Sequence, residues 1–310
     1  MMWLGVMSIG LSVFSSDLSV LVNRLNAQVA KSAYQIAGGA ADLRYGHYVF
    51  TSQAEESVEI LDVKQGGAVF VNLGEGVMLD CGGKNTQREV RDALRQFNRN
   101  VGEIWISHHD AHHYRGLANV AYENHVEKVM LPRVERSTTF QKTLRDAGFL
   151  DERIGILSEG YRKRKEAYTL EIIYDGTQQD ASSSDDKGVV VKLTWQGYVI
   201  LFTNDMGFFT EQHVLEKRLD LRCDLLVCGK HEQQHSPHEA LIQVALPKVV
   251  LATSFRPDLS QRRNYTWRKM LDKYQVKLLN QSDCGAVSVR LRDGKLVLIP
   301  MLGEEVVIEK

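Results

Sequence analysis

Strand after strand in this chain ends in a cluster of metal-ligand residue types. Val77-Met78-Leu79 runs into Asp80, and Ile104-Trp105-Ile106 runs into Ser107-His108-His109-Asp110-Ala111-His112-His113. Tyr198 to Phe202 ends at Thr203-Asn204-Asp205, and Asp224 to Cys228 ends at Gly229-Lys230-His231. In layered α/β proteins, sites open where strand ends meet loops. Four such ends therefore demand a fold that gathers them on one edge. The densest holds four of the ten histidines within six residues, 108 to 113. Imidazole and carboxylate are natural ligands for a borderline divalent cation such as zinc. A bare histidine cluster is as readily a solvated loop, and the other strand ends weigh against that.

The remaining pattern is a strand series punctuated by turns. Val58 to Val63, Ala68 to Leu73 and Val77 to Leu79 are expected strands, the last two joined through Gly74-Glu75-Gly76. Val90, Leu94 and Phe97 at helical spacing predict a helix over 86–98. Further strands are expected at Val126 to Leu131, Tyr168 to Tyr174, Val189 to Leu193, Val249 to Ala252, Val276 to Leu279 and Ala286 to Leu291. Turns fall at Gln196-Gly197 and Asp293-Gly294, and helices over about 137–147 and 264–274. Pro237-His238-Glu239 reads as a helix start. Neither a phosphate-binding glycine loop nor a Gly-x-Ser-x-Gly elbow is present.

At 310 residues the chain suits one large domain or two small ones. A net charge of −1 gives no global attraction to nucleic acid, so such binding would need local patches. Cys81, Cys223, Cys228 and Cys284 are too scattered for a disulfide scaffold and leave the compartment open. Cys81 reads better as a small buried hydrophobe than as a zinc ligand. Residues 1–16 carry no charge, and 18–23 are again uncharged after Asp17. That is marginal for a span, and no Lys or Arg precedes it as in a signal peptide. Residues 1–45 are therefore expected to be an apolar helical lead-in, with residues 1–23 a candidate membrane tether. Residues 55–310 are expected to be the main domain.

Taken in order, these motifs resemble the metallo-β-lactamase superfamily. More narrowly, they resemble the hydrolase-like C-terminal domain of the ComEC competence family, over about Val58 to Leu298. Residues 61–68, LDVKQGGA, are similar to that family's LDVGQGDA-type opening; Asp80-Cys81-Gly82 is similar to its Asp-Thr-Gly loop. Ser107 to His113 followed by Gly116-Leu117 matches its metal motif, Phe202-Thr203-Asn204-Asp205 its Leu-Thr-Gly-Asp strand end, and Lys230-His231 its late histidine pair. Gly285 to Val287 fits its closing Gly-Ala-Val. The resemblance implies a four-layer αβ/βα sandwich, with His108, Asp110, His112, His113, Asp205 and His231 as metal ligands. Asp110 and Asp205 are the carboxylates it assigns to the chemistry, Asp205 as the bridge between two ions. It also implies that Asp80 orients a ligand histidine from behind and that Lys230 stands beside the site.

Several family positions differ: His112 replaces an acid, Lys230 a histidine, and Glu232 and Gln233 a Gly-Ser pair. The expectation is one tight zinc or manganese ion, a weak or empty second position, and slow or absent nuclease activity. Two readings follow. One is a metal-dependent phosphodiesterase or nuclease-like hydrolase linked to DNA uptake. The other is a metal-poor relative that keeps the fold as a binding or interaction module. Small-molecule hydrolysis also suits the scaffold, and nothing in the sequence selects it. Arg256, Arg262, Arg263, Arg268 and Lys269, interleaved with Tyr265 and Trp267, are candidates for single-stranded DNA. Arg162 to Lys165 form a second basic cluster; a solvated charged face is the alternative for either. A membrane-associated or extracytoplasmic location is expected, with the cytoplasm left open.

Overall fold

The computed structural model describes residues 56–63, 66–97, 101–133, 136–176, 185–229, 237–253 and 268–310. Within them the strands sort into two sheets. The first has nine strands in the order β16-β15-β14-β1-β2-β3-β4-β5-β6. These are β1 (Ser57–Ile60), β2 (Val69–Asn72), β3 (Gly76–Leu79), β4 (Val101–Trp105), β5 (Lys128–Pro132), β6 (Ile154–Leu157), β14 (Val287–Arg292), β15 (Lys295–Pro300) and β16 (Val306–Ile308). The second has seven, in the order β13-β12-β11-β10-β9-β8-β7. They are β7 (Arg162–Arg164), β8 (Tyr168–Tyr174), β9 (Val190–Trp195), β10 (Tyr198–Asn204), β11 (Leu225–Cys228), β12 (Val249–Ala252) and β13 (Lys277–Asn280).

Apolar faces bring the sheets together. Val58, Ile60, Val71, Val77 and Trp105 from the first sheet pack with Leu170, Leu193, Trp195, Ile200 and Phe202 from the second. The outer face of the first sheet meets α1 (Gln87–Phe97), α3 (Leu117–Glu123) and α4 (Thr138–Asp146) through Val90, Leu117, Val120, Phe140 and Leu144. That of the second meets α5 (Phe208–Glu216) and α6 (Glu239–Ala245) through Val214, Leu241 and Ile242. Two short helices, α2 (Ala111–Tyr114) and α7 (Gln281–Cys284), close loops at strand ends. The layers run helix, sheet, sheet, helix. Because both faces are covered, β1, β2, β3, β11 and β12 are buried along their whole length.

Local chemistry explains the details. Gln196 (φ 45°) and Gly197 (φ 84°) turn β9 into β10, and Asp293 (φ 50°) with Gly294 (φ 73°) turn β14 into β15. Consecutive positive φ values give a turn whose twist matches the flanking strands. In β8, Tyr168, Leu170 and Ile172 face the inter-sheet core, but a register shift between Ile172 and Tyr174 sends Tyr174 to the outer cluster. The edge strand β7 carries Arg162, Lys163 and Arg164, charges that discourage pairing with another chain. Arg162 pairs with Glu171, Lys163 with Glu75 and Glu103, and Lys165 with Glu75. These acids largely neutralise that basic cluster.

The lead-in of residues 1–45 lies outside the described residues. Among the described residues, no helix is long and apolar enough to cross a membrane.

Candidate metal centre

Two strand ends with unusual backbone geometry build the site. Asp80 follows β3 with φ 58°, and Asn204 closes β10 with φ 50°. Non-glycine residues seldom occupy this left-handed region, and such strain collects where the surroundings over-determine a geometry. Asp80 stays tied to the sheet, its backbone N–H donating to Trp105 O at 2.8 Å. Its carboxylate is 2% exposed and is held on both oxygens. Oδ1 accepts from the Ser107 backbone N–H at 2.7 Å, and Oδ2 accepts from Ser107 Oγ at 2.6 Å. Ser107 also joins the two sheets: its carbonyl accepts from Val189 N at 3.0 Å, while Asn204 Nδ2 donates to Val189 O at 2.8 Å.

The histidine loop turns inward at α2. Asp110 caps that helix, accepting from His112 N at 2.8 Å. One turn later His113 is buried at 1% exposure. Its Nδ1 lies 2.6 Å from Asp80 Oδ2 and its Nε2 lies 3.1 Å from Asp205 Oδ2. Burial pulls the His113 imidazole down, but the charges of Asp205 and Asp80, with hydrogen bonds to both, carry it well above the usual histidine range. The His108 ring stands 4.0 Å from that of His113, centroid to centroid. Burial first, then the charge on His113, lowers its pKa to about 4, against the opposing pull of Asp205, Asp80 and Asp110.

The tautomer of His108 follows from counting protons. Ser107 Oγ has one proton and gives it to Asp80. At 2.9 Å from that hydroxyl, His108 Nδ1 is therefore the donor. Neutral His108 then carries its lone pair on Nε2, as a metal ligand requires. Asp80 acts on His113 in the same sense, holding Nδ1–H and turning Nε2 towards Asp205.

His108, His113 and Asp205 each present a ligand atom, all within 4.8 Å of one another. Ligand atoms around a tetrahedral zinc lie roughly 3–3.5 Å apart, given bonds of about 2 Å. The nitrogen and oxygen set therefore fits a divalent cation with small adjustment. The structure brings these three together, with Asp80 directly behind. Asp110 lies close enough for its charge to act on His108, yet its Oδ1 is engaged as a helix cap. His112 is exposed, its Nδ1 standing 3.1 Å from where a Cβ on Gly83 would lie. Lys230, His231, Arg256, Arg262 and Arg263 lie outside the described residues. Arg268 and Lys269 are exposed, and Arg268 lies 4.0 Å from Asp283.

Two glycines within the sequence motifs shape the site by leaving room for it. Gly229 follows β11, where a Cβ would lie 2.0 Å from Asp205 Oδ1. Gly66 (φ +85°) admits the His112 carbonyl, which would be 2.0 Å from a Cβ there. Asp205 and His113 line a cleft with Gly66, Gly67, Asn204 and Thr253. Cys81 is fully buried, and burial with the neighbouring Asp80 charge raises its thiol pKa well above the usual range. It behaves as the small hydrophobe the sequence suggested.

Comparison with known proteins agrees with this architecture. The metallo-β-lactamase fold protein YhfI from Bacillus subtilis superposes with a TM-score of 0.50, covering 73% of this chain and 96% of that one at 9% identity. The chain has the metallo-β-lactamase fold. Zn(2+)-bound PqqB from Methylobacterium extorquens is a more distant neighbour, with a TM-score of 0.45, 9% identity, and coverage of 73% of this chain and 88% of that one. No protein-family model matches the sequence. ComE operon protein 3 of Bacillus subtilis (strain 168) is 19% identical in an alignment of 264 positions that covers 77% of this chain and 34% of that protein. The ComEC-like resemblance is thereby supported, and the chain spans about a third of that relative's length.

Proposed function

We propose that this chain is a metal-dependent hydrolase of phosphodiesters, nuclease-like and linked to DNA uptake. The observation that carries the reading is the convergence of His108, His113 and Asp205 with Asp80 and Ser107 locked behind them. Zinc or manganese suits the donor set. Bound there, it would polarise a phosphoryl oxygen and lower the pKa of water towards about 7. The chain's own residues do the rest. Asp80 fixes the His113 ring, Ser107 fixes the His108 tautomer, and Asp205 brings a carboxylate from the second sheet. The resemblance to a competence-operon protein supports DNA as the polymer, and a membrane-associated setting for the intact system.

One ion is the expected occupancy, because Asp110 is engaged in capping α2 and His112 is exposed. The same facts favour the second reading, a fold retained as an interaction module. Hydrolysis of bis(4-nitrophenyl) phosphate and of single-stranded DNA, with zinc or manganese against chelator, separates the two. The hydrolase reading expects metal-dependent turnover that Asp205→Ala abolishes. No turnover of either substrate by metal-loaded protein would leave the module.

A further inference from the structure

The helices α1, α3 and α4 cover the outer face of the first sheet over only part of its width. Each joins two neighbouring parallel strands among β3, β4, β5 and β6 and lies over the pair it joins. Strands lie about 4.8 Å apart, so β14 and β15 stand roughly 14 Å and 19 Å from β3, beyond the edge of a helix about 10 Å across. The apolar cluster under these helices accordingly contains no residue of β1, β14 or β15. Yet that part of the face is closed. Alternation with the inter-sheet residues Val58, Val289 and Leu298 turns Ser57, Glu59, Ser288, Arg290 and Val297 to the outer face. All five are at most 4% exposed. Val297 belongs to none of the apolar clusters among the described residues.

Cross-strand rows make this face amphipathic. Val297 stands opposite Arg290, and Ile299 opposite Ser288, which pairs with Glu59 and, across β1, with Phe70. Glu59 and Arg290 share the Ser288 hydroxyl. Polar groups this deep need a cover that meets both kinds of surface. The burial is complete within one chain, so the cover belongs to the chain itself. Among the segments outside the described residues, 64–65, 98–100 and 134–135 are too short. Residues 177–184, 230–236 and 254–267 follow β8, β11 and β12 of the second sheet. Residues 1–55 are long enough and lead directly into this face, just before Ser57 of β1. Within them Leu18, Leu21, Val22, Leu25, Val29 and Ile36 recur at helical spacing, with Asn23, Arg24, Asn26 and Gln28 between. A helix over 18–36 would be about 28 Å long, enough to cross the four strands β15, β14, β1 and β2.

We propose that residues 18–36 dock across the face made by β15, β14, β1 and β2 and complete the outer layer of the first sheet. Their apolar stripe meets Val297 and Ile299, and their polar side chains lie over Glu59 and Arg290. Residues 18–36 then belong to the main domain, and a tether would be confined to residues 1–16. The test uses the full chain. p-Benzoylphenylalanine in place of Ile299, a half-buried position at the rim, should cross-link on irradiation to residues 18–36 of the same chain, read by peptide mass spectrometry. Trypsin should cut slowly after Arg24 and Lys31 in wild type, and about tenfold faster in Val297→Arg, whose charge opens the face. Cross-links confined to other segments, or to a second chain, would overturn the proposal. Equal cleavage of wild type and Val297→Arg would do so too. So would protection of Arg24 and Lys31 that appears only with phosphatidylglycerol vesicles, because the segment would then lie on a membrane. The cross-link decides the matter even where Val297→Arg unfolds the chain.

Discussion

Replacing Glu59 with Gln should stabilise the protein at alkaline pH by about 3 kcal/mol. Glu59 lies on β1 between Val58 and Ile60, which face the inter-sheet core, so its side chain projects from the opposite face. The carboxyl is 0% exposed, accepts from Ser288 Oγ at 2.9 Å, and has the buried Arg290 nearby, whose Nε donates to Ser288 Oγ at 3.1 Å. Burial outweighs the hydrogen bond to Ser57, the charge of Arg290 and the bond to Ser288, lifting the pKa from 4.5 to about 7. Between these values the unfolded chain loses the proton while the folded chain keeps it. Stability therefore falls as pH rises through that window and levels off above about 7. That rise corresponds to about 3 kcal/mol, a sizeable share of a typical folding free energy. Glu59→Gln mimics the neutral form and should remove the penalty. Urea unfolding should find wild type and variant alike near pH 4.5. At pH 8 the variant should be the more stable by about 3 kcal/mol. A variant less stable than wild type at pH 8 would instead show Glu59 ionised and stabilised against Arg290.

Asp80→Asn should weaken metal binding about 10- to 100-fold, because it loosens the grip on His113; competition with a chelating dye measures this. Gly229→Ala should also lower metal retention, since its Cβ would displace the Asp205 carboxylate, and thermal melts with and without metal should show a smaller ligand-induced rise than in wild type. Leu193→Ala, at a fully buried inter-sheet position, should cost about 2–5 kcal/mol in denaturant unfolding and leave metal stoichiometry unchanged.

Periodicity and turn chemistry made much of the fold legible. Tyr168–Tyr174, Val249–Ala252 and the turns at Gln196-Gly197 and Asp293-Gly294 stand where their patterns place them. The elements that escaped are those whose pattern is weak or means something else. Ile154–Leu157 holds a glycine among few residues, and Arg162–Arg164 reads as a charged face although its charges guard an edge. Helix Phe208–Glu216 starts with two adjacent aromatics and shows no clear apolar stripe, because Phe209 points outward. At the site, residue types and strand ends pointed to His108, His113 and Asp205 converging. What no local pattern could show was side-chain direction. Asp110 has the residue type and position of a helix cap, a signal that competes with its reading as a ligand. The left-handed backbone at Asp80 and Asn204, and the role of Ser107 between the Asp80 carboxylate and the His108 imidazole, arise only once neighbouring strands have aligned their ends.

If His108, His113 and Asp205 form a metal site, the purified chain should carry an ion in defined stoichiometry. The full chain would be dialysed against zinc or manganese, washed into metal-free buffer and analysed for elemental content beside His108→Ala and Asp205→Ala. About one ion per wild-type chain is expected, with loss of that ion in both variants and a lower melting temperature on its removal. Wild-type protein carrying well under one ion per chain, or variants that retain as much as wild type, would contradict it.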